Sequence, residues 1–151
     1  MTLPTTSAMF ERFDAMVETI VDPQHRRMLG VVRNHLLGEI IGDLDLTMST
    51  MPANPCYRTY GSTAMGSFNF DTADEVRATY QSMLDAGLVP GCPSEDERWS
   101  FAPWGLANEA TNTMVFPGAW LLNYDRNSTP TASISFAGRQ RLSSRSTPSG
   151  C

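Results

Sequence analysis

Apolar residues recur at helical spacing through the first third of the chain. Met9, Phe13, Met16 or Val17, and Ile20 share one side of residues 8–21, with Glu11, Arg12, Asp14 and Glu18 elsewhere, which predicts a first helix. Asp22 then caps a second helix that has Pro23 at its first position and runs to about Ile41. One side of that helix carries Met28, Val31 or Val32, His35 and Glu39. Leu29, Val32, Leu36 and Ile40 form the adjoining apolar stripe. Gly42 ends the helix, and Asp43 caps a short third one through Met51. Pro52 and Pro55 break the chain. CYRTY (56–60) follows as a strand, with Tyr57 and Thr59 on one face.

Residues 61–70 read as loop. Thr72 and Glu75 form a T-x-x-E capping box for a fourth helix, which runs to about Ala86 and buries Val76, Tyr80, Met83 and Leu84. Residues 88–97 read as a turn-rich acidic loop. Strands are predicted over 97–102 and 106–116, antiparallel and joined by the turn Pro103-Trp104-Gly105, and AWLLNY (119–124) continues as a strand. From residue 125 the pattern changes. No acidic residue follows Asp125, four Arg appear, Ser and Thr dominate, and only ASISFAG keeps a strand pattern. The expected organisation is one domain over 8–124 and an atypical Ser/Thr/Arg-rich tail over 125–151, disordered or non-native.

Composition narrows the classes. At 151 residues with 41% apolar content, the chain is long enough for one domain with one sizeable core. A net charge of -5 argues against nucleic acid as a partner. The three cysteines, Cys56, Cys92 and Cys151, are odd in number and widely spaced, which argues against a disulfide framework or zinc site and for a reducing compartment. The first residues lack the apolar run of a signal peptide, and no 18-residue apolar stretch exists. The expectation is a cytoplasmic protein with no membrane partner. There is no Gly-rich phosphate loop, no G-x-S-x-G, no H-E-x-x-H and no metal-ligand spacing, so neither cofactor nor metal is expected.

Three motifs, taken in order, carry a family resemblance: H-x6-G-D-L-D from His35 to Asp45, N-P-x-Y from Asn54 to Tyr57, and D-E-V-R-A-T-Y from Asp74 to Tyr80. Asn108-Glu109, ahead of Phe116-Pro117-Gly118, adds to them. Over residues 25–122 the chain resembles the SnoaL-like domains of the nuclear transport factor 2-like superfamily. The resemblance implies an α+β fold in which N-terminal helices wrap a cone-shaped, curved antiparallel sheet around an apolar pocket. It also implies a small apolar ligand and a homodimer formed through the outer sheet face. The family includes ketosteroid isomerases, scytalone dehydratases, limonene epoxide hydrolases, polyketide cyclases and non-catalytic binders, so the fold does not fix the chemistry.

The tail departs from the family, whose members supply two further long strands. Back-translation of Arg126 to Gln140 with GC-leaning codons permits a second frame that reads ELDPDGIYLFRWPP, a turn and then a strand. An inactive frameshifted product is therefore one alternative for this chain.

By the same resemblance, His35 falls where ketosteroid isomerases place a pocket-facing phenol, and Thr59 where they place the general-base aspartate. Threonine cannot be that base near neutral pH. His35 is either a hydrogen-bonded core histidine or the acid/base of a cofactor-free isomerase, dehydratase, cyclase or hydratase. Glu109 is either an outward edge-strand charge or an inward acid/base partner. Asp45 either serves the helix dipole or faces the pocket mouth. Tyr57, Thr59 and Trp104 are the candidate ligand-binding residues. Trp99, Trp104 and Phe101 alternatively pack the sheet or a dimer face. His25, beside Arg26 and Arg27, is expected in solvent. A catalyst requires His35 within hydrogen-bond reach of Glu109 or Asp45. Divergence of these residues favours a binding or dimerisation module.

Overall fold

The computed structural model describes residues 6–58, 69–92, 97–115 and 134–142. Four helices come in two groups: α1 (Thr6–Thr19), α2 (Pro23–Ile41) and α3 (Leu44–Ser49), then α4 (Ala73–Asp85). The strands are β1 (Tyr57–Arg58), β2 (Asn69–Phe70), β3 (Val89–Cys92), β4 (Arg98–Ala102), β5 (Gly105–Val115) and β6 (Ile134–Leu142). The expected strand 119–124 lies outside the described residues, as does Thr59.

The helix ends form for local reasons. The Asp22 carboxylate accepts from the backbone N–H of Gln24 at 2.7 Å and of His25 at 3.3 Å, satisfying donors that the first turn leaves open. Gly42 closes α2 at φ 74°, a left-handed conformation that glycine adopts without Cβ strain. Asp43 caps α3 by accepting from Leu46 N at 2.9 Å. The capping box of α4 is complete: Glu75 N donates to Thr72 Oγ1 at 3.2 Å, and Glu75 Oε2 accepts from Thr72 N at 3.1 Å.

β5 is the centre of the larger sheet. β4 pairs antiparallel with Gly105–Glu109 and β3 with Thr113–Val115, while β6 runs antiparallel along Leu106–Met114. Because β6 opposes residues that also face β4 and β3, it takes the other edge of β5. β1 and β2 form a separate two-stranded sheet. Among the described residues the strands form no closed barrel. The architecture is α+β, with helices packed on an antiparallel sheet.

Three segments differ from expectation. Val89–Cys92, read as turn, is a strand, and Pro90 is tolerated there because, among the described residues, β3 pairs with β5 alone. Phe70, read as loop, pairs with Tyr57. β6 lies inside the Ser/Thr/Arg-rich segment, beginning within ASISFAG.

The core joins the first two helices to the sheet. Phe13, Leu29, Val32 and Leu106 are buried together, and Met16, Val17, Ile20, Met28, Leu36, Trp99 and Phe101 pack around them. Phe13 meets Trp99 edge-on, ring centres 6.0 Å apart. On α1 the expected Phe13, Met16, Val17 and Ile20 face this core, and Phe10 is buried as well. The Arg33 guanidinium clasps Asp14 through two hydrogen bonds, 2.5 and 2.7 Å, and lies 4.9 Å from the Phe10 ring centre. That pairing holds the Asp14 carboxyl below its usual value. His25 is half-buried rather than in solvent, stacked on Phe101 at 4.3 Å, because its turn of α2 lies against β4.

Candidate functional site

The last two turns of α2 present His35 and Glu39 on one face, as residues four apart must be. Their side chains retain only 14% and 11% of their exposure, with His35 Nε2 3.2 Å from Glu39 Oε1. Tyr80, buried on α4, reaches across to both. Its hydroxyl donates to Glu39 Oε1 at 2.6 Å and lies 3.1 Å from His35 Nε2. Tyr57 of β1 completes the row through a side-chain hydrogen bond to Tyr80. Behind the imidazole, Nδ1 lies 2.8 Å from Thr50 Oγ1 at the end of α3.

α3 comes this close because Gly38 faces Thr47. Thr47 is fully buried, and a Cβ on Gly38 would sit 2.4 Å from Thr47 Oγ1 and 2.7 Å from its backbone nitrogen. Glycine at this position removes the atom that would hold the two helices apart.

The electrostatics keep the phenols neutral. Burial, then the nearby Glu39 charge, raises the Tyr57 hydroxyl above its ordinary value. The same two causes, with Tyr57 beside it, raise Tyr80 well above. Both therefore act as hydrogen-bond donors rather than phenolates at any ordinary working pH. The centre is an imidazole and a carboxylate, bridged by one neutral phenol and extended by a second. It can take a proton, hold the resulting charge against Glu39, and return it.

The sequence-derived candidates are distributed unevenly over this arrangement. His35 and Tyr57 belong to it. Asp45 is exposed on the first turn of α3, where it accepts a 2.8 Å hydrogen bond from Arg77. Glu109 is exposed on the solvent face of β5, between Arg98 and Arg139 in the ladder. It is an outward charge on the central strand rather than on an edge. Trp104 is exposed in the β4–β5 turn. Among the described residues, His35 is bonded to Thr50, Tyr80 and Glu39, not to Asp45 or Glu109.

Nothing in the sequence alone marks Tyr80 or Thr50 as site residues, and Glu39 stands out only beside His35. The i,i+4 spacing of His35 and Glu39 was the available signal. Tyr80 closes the D-E-V-R-A-T-Y motif, but its periodicity marks it only as core.

Two further features lie near the core. Asn108, between Leu106 and Ala110 on the buried face of β5, is 9% exposed, and its Nδ2 has no hydrogen-bond partner among the described residues. Cys56, next to Tyr57, is disulfide-bonded. This corrects the expectation of reduced thiols, because wide spacing in sequence does not limit approach in space. Among the described residues no group of three or more His, Cys, Asp or Glu is placed to hold a metal, and no helix is long and apolar enough to cross a membrane.

No protein-family model and no curated protein matches the chain. One solved structure does, a protein from Xanthomonas campestris pv. campestris provisionally named a polyketide cyclase. The TM-score is 0.57 over 80% of this chain and 83% of that one, at 13% sequence identity. The two share a fold. The likeness agrees with the α+β architecture expected from the sequence. At that identity it speaks to architecture and leaves the chemistry to the residues themselves.

Proposed function

We propose that this protein binds a small apolar molecule and performs cofactor-free acid/base chemistry on it, of the isomerase, dehydratase, cyclase or hydratase kind. The observation that carries this reading is the contact of His35 Nε2 with Glu39 Oε1 at 3.2 Å, bridged by the Tyr80 hydroxyl, in a mostly buried setting. A mostly buried carboxylate is costly unless paired, and the imidazole that pairs with Glu39 is also a group able to carry a proton. His35 exchanges the proton. Glu39 balances the charge that forms on the ring, Tyr80 holds the two in register, and Tyr57, through its hydrogen bond to Tyr80, keeps that phenol aimed at the pair. The fold shared with the Xanthomonas protein is consistent with a pocket of this class.

A second reading, a non-catalytic binding module, is favoured by one observation: neither Glu109 nor Asp45 is joined to His35. A panel of apolar ketones, hydroxyketones and epoxides separates the two. The expected result is conversion of at least one compound by the wild type and none by His35→Ala, with both proteins equally folded and both binding the compound. Binding without conversion by the wild type establishes the module instead. Unchanged turnover in His35→Ala removes the histidine from the chemistry.

A further inference from the structure

The geometry points to Thr50 as the positioning residue that pins a proton on Nδ1 of His35. It thereby makes Nε2, beside Glu39, the nitrogen that gives and takes protons. The functional meaning of this assignment rests on the acid/base reading above; the location of the proton does not.

Thr50 Oγ1 lies 2.6 Å from the Thr47 carbonyl oxygen. A carbonyl has no hydrogen to give, so two oxygens approach this closely only if the Thr50 proton lies between them. The hydroxyl has one proton, and it is spent there. Toward His35, at 2.8 Å, Oγ1 can only accept. The hydrogen in that contact belongs to Nδ1.

The same count runs outward from the other nitrogen. A neutral imidazole carries one N–H, and Nδ1 has it, so Nε2 presents a lone pair. It faces Tyr80 and Glu39. The single Tyr80 hydrogen is drawn to Glu39, since the 2.6 Å contact to a carboxylate is shorter than the 3.1 Å contact to the ring. With Nε2 bare, two lone pairs would oppose each other across 3.2 Å. A second proton taken up at Nε2 removes that opposition and makes an imidazolium–carboxylate pair. Nδ1 therefore keeps its proton through a cycle, and Nε2 exchanges its own. Among the described residues, the charged and titratable groups facing the ring are Glu39 and Tyr80, with Tyr57 behind Tyr80.

Without Thr50 the preference should reverse. Among the described residues Glu39 would be the only strong acceptor left to the ring, and a neutral imidazole would turn its one N–H toward it. Thr50 is thus needed to keep the carboxylate from capturing the tautomer.

The test is ¹⁵N–¹H NMR of the imidazoles in the full chain, without substrate, at a pH where the His35 ring is neutral. The chain has two histidines, so His25→Gln assigns the signals. The wild type is expected to show a protonated Nδ1 and a bare Nε2 at His35. Thr50→Val is expected to move the proton to Nε2, and Thr50→Ser, which restores the hydroxyl, to return it to Nδ1. A wild-type ring protonated on Nε2, or a Thr50→Val tautomer identical to wild type, overturns the assignment. Should Thr50→Val fail to fold, the wild-type and Thr50→Ser spectra decide the matter. Because no turnover is measured, failure of the catalytic reading leaves this result standing, and the reverse holds as well.

Discussion

Gly38 and Thr47 meet so closely that a single added methyl on Gly38 would overlap the threonine hydroxyl, at 2.4 Å. The obstruction includes the Thr47 backbone nitrogen at 2.7 Å and the Asp43 carbonyl at 2.9 Å, which cannot swing aside as a side-chain tip can. Gly38→Ala is therefore expected to destabilise the protein by about 1–3 kcal/mol, the usual cost of overpacking a filled site. Urea unfolding measures it. An unchanged midpoint would show that α3 can shift freely and that the contact carries no weight.

Leu29 is fully buried where α1, α2 and β5 meet. Leu29→Ala should cost about 2–5 kcal/mol, through lost transfer energy and the cavity left behind. The denaturant midpoint should fall with little change in slope.

Asn108 presents the opposite case. Its amide nitrogen is buried without a partner among the described residues, and such a group costs about 1–3 kcal/mol. Asn108→Leu, similar in volume, should raise the melting temperature of the unliganded protein. A lower melting temperature would mean that the amide is satisfied in solution.

Alkaline stability follows from the two phenols. Tyr57 and Tyr80 have folded-state values raised above about 10, so their contribution to stability is complete below that pH. It is lost as pH rises through the raised values, because the unfolded chain ionises these groups first. Ultraviolet titration should show Tyr57 and Tyr80 ionising late, together with unfolding. Tyr80→Phe should remove one of these late steps.

At the acid end the sign reverses. Asp14 is held low by Arg33, Asp22 by the backbone N–H of Gln24 and then of His25, and Glu75 by the backbone N–H of Asp71 and its bonds to Thr72. Their contributions are present above the ordinary carboxylate value, roughly pH 4, and are lost as pH falls through the depressed values. Acid unfolding monitored by circular dichroism should begin below that point. Asp22→Asn, Glu75→Gln and Asp14→Asn should each flatten the profile.

Legibility in the sequence followed the range of the interaction. Asp22-Pro23, Gly42-Asp43 and Thr72-x-x-Glu75 act within one turn, and each helix end they predict is present. β2 and β3 were missed because two to four residues leave no periodicity, and Pro90-Gly91 reads as a turn until its edge position is known. The site divided in the same way. His35 stood out by type, and Glu39 was legible as its neighbour on the helix. Tyr80 lies 45 residues away and looked like any buried aromatic. Glu109 and Asp45 attracted notice as isolated carboxylates, yet strand alternation turns one outward, and the other sits on an exposed first turn.

His35 and Glu39 stand one turn apart on a single helix, whereas Tyr80, Tyr57 and Thr50 arrive from three other elements. The spacing of the pair is thus ruled by the backbone ladder of α2, and their surroundings by tertiary docking. Breathing of α3, α4 or the small sheet would change which water and which hydroxyls reach the pair without pulling it apart. On the acid/base reading, a ligand would meet a proton carrier whose two members are already assembled. What the rest of the domain adds is the insulation of that pair, not its making.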